Sequence, residues 1–176
     1  SDPSGGRPVG NYYTITRGEH NNFNFRYDFN DKLYFSNSYS ENNAHYVYRY
    51  KPQNGAVNKD AIFTVQTNLS QLHYDDQSFK AILSYTNTDQ NNFTKARNKS
   101  GSTYLDTIKT ISNAGYNDRT YGLDLQKNWK LENDVAIFGV NVQRDTCDYS
   151  EDSLTVATNK YTSASRDYSR NMYSAY

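Results

Sequence analysis

Between Asn22 and Asn30 the chain alternates without a break. Phe23, Phe25, Tyr27 and Phe29 are separated by Asn24, Arg26 and Asp28. A strand sends successive side chains to opposite faces, whereas a helix needs an apolar period near 3.6. The segment therefore predicts a strand with one apolar and one polar face. The turn signal Asn30-Asp31 follows, and Leu33, Phe35 and Tyr39 resume the pattern. A second phase, Ala44, Tyr46, Tyr48 and Tyr50, makes Lys32–Tyr50 either one bent strand or two pieces.

The same period recurs along the chain. Ala61, Phe63, Val65 and Leu69 share a face within a strand predicted from Ala61 to Tyr74. After Asp75-Asp76-Gln77, the residues Phe79, Ala81, Leu83 and Tyr85 alternate with Ser78, Lys80, Ser84 and Thr86. Tyr121, Leu123, Leu125 and Trp129 form a further face. A turn at Glu132-Asn133-Asp134 leads to Phe138, Val140 and Val142 within Val135–Gln143. Shorter strands are expected near Tyr12–Thr16 and from Asp167 onward, giving seven or eight in all. Short turns near 30–32, 75–77 and 132–134 alternate with polar stretches at 51–60, 89–117 and 148–166, which read as long loops. Within the second loop, Tyr104, Leu105, Ile108 and Ile111 are spaced by three or four, which predicts a short helix over Ser102–Asn113 capped by Ser102 or Thr103.

Composition narrows what such a sheet can be. Of the 176 residues, 18 are Tyr, aromatics make up 15%, and 19 basic residues balance 19 acidic ones. Intrinsic disorder goes with few aromatics and high net charge, so this chain is ordered. Zero net charge offers nothing to attract nucleic acid. No apolar run approaches the roughly 18 residues of a membrane helix, and the first thirty residues lack the apolar core of a signal peptide. Alternation fits a soluble sandwich with its apolar face inward, or a membrane barrel with that face outward. Three features favour the barrel. Its polar faces carry Asn, Gln, Ser, Asp, Arg and Gly rather than Lys and Glu. Tyr12, Tyr13, Tyr46, Tyr48, Tyr50, Tyr116 and Tyr121 lie near expected strand ends, as an interfacial girdle requires. Strand segments read as 10 to 14 residues, against the roughly 9–11 of a tilted span.

Chemical sites are not evident. His20, His45 and His73 are scattered, without carboxylate or cysteine at ligand spacing. The single cysteine, Cys147, excludes an internal disulfide and has no apparent nucleophile-activating partner. The run Asp148-Tyr-Ser-Glu-Asp152 lacks the spacing and glycine of a calcium loop. Neither a phosphate-binding glycine loop nor an acid–base carboxylate pair stands out. The expectation is a protein that is not an enzyme, with no catalytic residues, no metal and no cofactor. Its ligand-binding residues are unassigned within the three Tyr- and Asn-rich loops.

The segments Asn24–Leu33, Asp118–Leu131 and Ala136–Arg144, and the closing Ser169–Tyr176, resemble strand–turn–strand units of TonB-dependent outer-membrane receptors. The resemblance implies uptake of a scarce small-molecule ligand (a metal chelate, cobalamin or a glycan) across the outer membrane of a Gram-negative cell. Its implied partners are the lipid bilayer, the rest of the barrel with its plug, and TonB. Such receptors have 22 strands, on the order of 500 residues at about 10 per strand plus connections. Residues 1–176 are accordingly expected to be one all-β segment of antiparallel transmembrane strands, about a third of a larger barrel with short periplasmic turns and long outer loops. On this reading Phe23/Phe25/Tyr27/Phe29 and Phe138/Val140/Val142 face lipid, while Arg26, Asp28, Asp124 and Gln126 face the lumen or plug. Two alternatives are a standalone eight-stranded outer-membrane barrel acting as an adhesin, and a secreted soluble β-sandwich that binds carbohydrate.

Overall fold

A computed structural model describes residues 11–50, 56–101, 103–132 and 134–176. They form one antiparallel sheet of seven strands in sequential order: β1 (Asn11–Asp28), β2 (Leu33–Tyr50), β3 (Ala56–Asp75), β4 (Phe79–Ser100), β5 (Thr103–Lys130), β6 (Val135–Thr155) and β7 (Lys160–Ala175). Each strand pairs with its neighbours in sequence, so every connection is a hairpin. The sheet is not closed: β1 and β7 are its edges and run in the same direction.

The three short turns fall where expected, and side chains explain the first two. Asn30 Oδ1 accepts hydrogen bonds from the backbone N–H of Lys32 and Leu33 at 2.9 and 3.0 Å. Asp76 Oδ1 accepts from the N–H of Ser78 and Phe79 at 3.1 and 2.7 Å, and from the Ser78 hydroxyl at 2.9 Å. These contacts satisfy backbone donors that a reversal leaves unpaired. Gln77, between them, sits at φ 71°, a left-handed conformation that favours glycine. The third reversal closes with Leu131 N–H donating to Asp134 O at 2.9 Å.

The far end of the sheet corrects several expectations. Residues 89–100 and 103–117 are not a loop but the long hairpin of β4 and β5. The expected helix over Ser102–Asn113 is strand from Thr103 onward, paired Lys99↔Tyr104, Arg97↔Ile108 and Ala96↔Thr110. Residues 148–155 and 160–166 likewise extend β6 and β7, with only a single 3₁₀ turn, Val156–Thr158, and Asn159 in the left-handed region between them. Residues 56–60 belong to β3, and 51–55 lie outside the described residues. The segment before Tyr50 is one strand, not two, and the Tyr12–Thr16 piece is continuous with Asn22–Asp28 in β1. Strands run 16 to 28 residues, well beyond the 10 to 14 read from the sequence.

Among the described residues the sheet has no second layer. Among the described residues only Val47 and Ala61 are buried apolar side chains, and no side chain is completely buried. A sheet normally covers an apolar face with another element. Here the apolar faces remain open.

Candidate functional site

Register fixes which side chains share a face, because partners across a pair of strands project to the same side. One row runs Tyr27, Phe35, Leu72, Leu83, Leu123, Val142 and Tyr173, crossing all seven strands through successive pairs. The row nearer the short turns holds Leu33, Tyr74, Ala81, Leu125, Val140 and Ala175. Phe79 and Phe138, with Lys127 between them, form the row below, and Trp129 follows. Together these rows make an apolar belt confined to the short-turn half of one face. It is exposed: Tyr27 is 54% accessible, Leu83 56%, Phe138 50% and Trp129 47%. Lys127, the one charge in the lower belt, extends its ammonium to the Ser78 hydroxyl in the turn at 3.4 Å.

The opposite face over the same stretch is mainly polar, with Ile82, Val135 and Ile137 as its apolar members, and internally bonded. Arg26 forms an ion pair with Asp28 at 2.6 Å, and its guanidinium lies 3.8 Å from the centre of the Tyr34 ring. Tyr34 in turn stacks on His73 at 4.4 Å, nearly parallel. Asn141 donates to Asp124 at 3.4 Å, and Gln126 to Asn128 at 2.7 Å. Asp145 accepts from Gln143 at 2.7 Å, from Arg170 at 2.8 Å and from Thr120 at 3.0 Å. Arg26, Asp28, Asp124 and Gln126 thus share one face, and the Phe23 and Phe138 sets share the other.

One expectation about the faces needs correction. Tyr46 and Tyr48 pair within the upper part of β2, and Tyr116 in the upper part of β5. All three lie on the polar-face side, far from the belt, and do not rim it. Of the tyrosines singled out, Tyr121 rims the belt, alongside Tyr85 at 5.0 Å between ring centres. The side chains of Tyr12, Tyr13 and Tyr50 lie outside the described residues. The set Ala61, Phe63, Val65 and Leu69 does share a face, but not that of the belt. It faces Tyr46, Ala44, Asn42 and Ser38 on the polar side. The change of phase within β2 therefore moves the apolar residues from one face to the other along an unbroken strand.

Beyond the belt, both faces carry polar recesses. On the polar side a recess of about 560 Å³ is lined by Asp118, Thr120, Gln143, Asp145, Cys147 and Arg170. The Cys147 thiol is pushed up to about 11, chiefly by its hydrogen bond to Asp118, then by burial and by the charges of Asp118 and Asp148. It is held as a thiol, not activated as a nucleophile. Higher on this side, Tyr116 and Tyr149 have ring centres 4.8 Å apart, and the Tyr149 hydroxyl donates to Glu151 at 2.6 Å. On the belt side a recess of about 490 Å³ is lined by Gln66, Asp89, Asn117, Asp148 and Asp167, among others. The three histidines have separate neighbours: His20 bonds Asn42 and Asn22, His45 bonds Thr16 and lies 3.9 Å from Asp60, and His73 stacks on Tyr34. Among the described residues no three metal-binding side chains gather.

Sequence reasoning missed the ion pairs that tie neighbouring strands. Arg170–Asp145, Arg119–Asp148 and Arg97–Asp60 join residues 25 to 37 positions apart. Only the register brings them together, so no local spacing could have signalled them. No family model matches the chain, and no curated protein or solved structure matches it either. The fold and its faces thus define the chain by architecture: an open antiparallel sheet with an exposed apolar belt on one side and a bonded polar wall on the other.

Proposed function

We propose that this chain is a segment of an outer-membrane β-barrel, and specifically of a TonB-dependent receptor that takes up a scarce ligand. The single observation that carries the membrane reading is the belt. Apolar side chains on one face cross all seven strands with no layer over them among the described residues, and the face behind them is mainly polar. A soluble sheet reverses this arrangement by covering its apolar face with a second layer. A membrane barrel turns the apolar face to lipid and the polar face to its interior. From Tyr121 to Trp129 the belt spans eight residue steps on β5, about 27 Å along the strand. With a tilt near 40° that is about 21 Å of height, close to the ~25 Å apolar band of such barrels.

The strands β1 and β7 run the same way. An all-antiparallel barrel that includes both needs at least one further strand between them, and lipid does not tolerate open edges. One such strand would complete an eight-stranded barrel and a longer run a larger one, so the preference for a larger barrel comes from the receptor resemblance alone. The absence of a second sheet among the described residues weighs against the soluble sandwich. The receptor assignment rests on the resemblance of Asn24–Leu33, Asp118–Leu131 and Ala136–Arg144 to receptor hairpins. On this reading the long hairpins beyond the belt stand outside the cell, and the short turns face the periplasm.

The test is the intact mass of the native polypeptide in the outer-membrane fraction of its source. A receptor requires a mass several times the 20.3 kDa of this chain. A membrane-extracted species near 20.3 kDa would overturn the receptor reading, and a detergent-free soluble species would overturn the membrane reading as well.

A further inference from the structure

We propose that His45 is a proton-operated clasp: on gaining a proton it closes onto Asp60 and joins two chains of side-chain contacts into one strap across the long-hairpin ends of β1 to β5.

Among the described residues the ladder is irregular only at this end. Register shifts between Ile15 and Arg17, between Tyr48 and Arg49, and on either side of Arg97, while β3–β4, β5–β6 and β6–β7 pair without a shift. A bulge re-aims the side chain it frees. Thr16 falls in the first shift and has no register partner on β2; its hydroxyl lies 2.8 Å from His45 Nδ1. Arg97 donates from one guanidinium nitrogen to Asp106 O on β5 at 2.7 Å and from the other to Asp60 Oδ2 on β3 at 3.4 Å. Side chains thus link β1 to β2 and, separately, β3 to β4 and β5. Between the two links, His45 Nε2 stands 3.9 Å from Asp60 Oδ1, outside hydrogen-bond reach.

Protonation closes the gap with little rearrangement. A neutral imidazole that accepts the Thr16 hydroxyl at Nδ1 carries its one proton on Nε2, whereas the charged ring donates from both nitrogens. Nε2 then attracts the carboxylate as an ion. The Thr16 hydroxyl turns to donate to the His45 carbonyl oxygen, 3.3 Å away. Asp60 has room for both cations, because Arg97 uses Oδ2 and leaves Oδ1 facing the ring. The other charges around His45 temper the gain. Arg17, directly across on β1, is paired with Glu19. Lys95, across from Asp60 on β4, sits with its ammonium 5.5 Å from the centre of the Phe93 ring. Ile62, the partner of His45 on β3, is uncharged, as are Asn43 and Val47 on its own strand. With those cations nearby, the clasp has the strength of a part-exposed ion pair. It is closed at acid pH and opens as pH rises through the range in which histidines lose their proton. This chemistry is independent of what covers the belt.

The experiment is hydrogen exchange read by mass spectrometry on the full-length protein, at about pH 5.5 and about pH 7.5, each corrected for the intrinsic exchange rate at that pH. In the wild type, protection over residues 44–49 and 57–62 is expected to be about threefold higher at the lower pH. His45→Gln and Asp60→Asn are expected to show no such gain. Residues 160–166 of β7, which no histidine touches, are expected to gain nothing in any of the three proteins. No gain in the wild type, or a loss, would overturn the clasp, and this comparison stands without either variant. A gain that survives His45→Gln would overturn the role of the imidazole, and one that survives Asp60→Asn would overturn the pairing. An equal gain at 160–166 would replace the clasp with a general effect of acid on the sheet.

Discussion

Leu123 on β5 stands directly across from Val142 on β6, and both side chains remain nearly two-fifths accessible. Such a pair is the ordinary unit of sheet stabilisation, yet nothing within the described chain covers it. Immediately behind, Gly122 pairs with Gln143 on the polar side. One residue step therefore separates an open apolar surface from a hydrogen-bonded one, and the membrane account rests on that alternation.

Val140 lies in the middle row of the belt, opposite Leu125. Val140→Arg should cost about 2–4 kcal/mol if that row sits near the bilayer midplane. Gln126→Arg, on the polar face of the neighbouring strand, should be tolerated. Folding titrations into lipid vesicles measure both. Tolerance of Val140→Arg combined with failure of Gln126→Arg would show that inside and outside have been interchanged.

Asp76 governs the β3–β4 turn. Its carboxyl is held below the usual range, first by the Phe79 N–H, then by the Ser78 hydroxyl, with burial opposing and the Ser78 N–H and Tyr74 hydroxyl adding to the effect. A depressed folded-state pKa means that the charged form is the one stabilised by folding. The contribution is present above the unfolded value near 3.9 and is lost as pH falls through the lower folded value. Acid unfolding should show this loss in the wild type and not in Asp76→Asn. An unchanged acid limb in Asp76→Asn would refute the role.

Gln77 in the same turn occupies left-handed backbone space, at φ 71°. Gln77→Gly should stabilise the hairpin, by up to about 1 kcal/mol. Urea titration of the variant measures the shift. A loss of stability would mean that the Gln77 side chain supports the turn in a way its backbone conformation does not reveal.

Cys147 should alkylate slowly. With its thiol pushed up to about 11, only about one molecule in a thousand carries the thiolate at pH 8. Asp118→Asn removes the main cause of the shift, and maleimide labelling should accelerate at least about tenfold. Equal rates in the two proteins would mean that access, not Asp118, limits the thiol.

The belt half of the molecule was legible in the sequence because apolar and polar side chains alternate there at every step. Phe23 through Phe29 and Phe138 through Val142 could be placed on a common face before their strands were paired. Beyond the belt that contrast fades. In β2 the apolar positions pass from Phe35 and Tyr39 on the belt face to Ala44 and Tyr46 on the other, without a break in the strand. In the β4–β5 hairpin, register shifts between Ala96 and Arg97 and between Arg97 and Lys99 interrupt the two-residue period. A bulge inserts an unpaired residue and resets the alternation. Leu105, Ile108 and Ile111 therefore took on a spacing that looks helical, although strand pairing overrides it. The ion pairs Arg170–Asp145 and Arg119–Asp148 depend on register alone and left no local trace.

The most direct test of the account places spin labels singly at Val140, Asn141, Val142 and Gln143 in the full-length protein reconstituted in lipid. Oxygen, which partitions into the bilayer, and a water-soluble nickel chelate report the environment of each label. The account predicts high oxygen and low nickel accessibility at 140 and 142, and lower oxygen accessibility with no lipid signature at 141 and 143. Alternation in the opposite sense, or no alternation along these four residues, would contradict it.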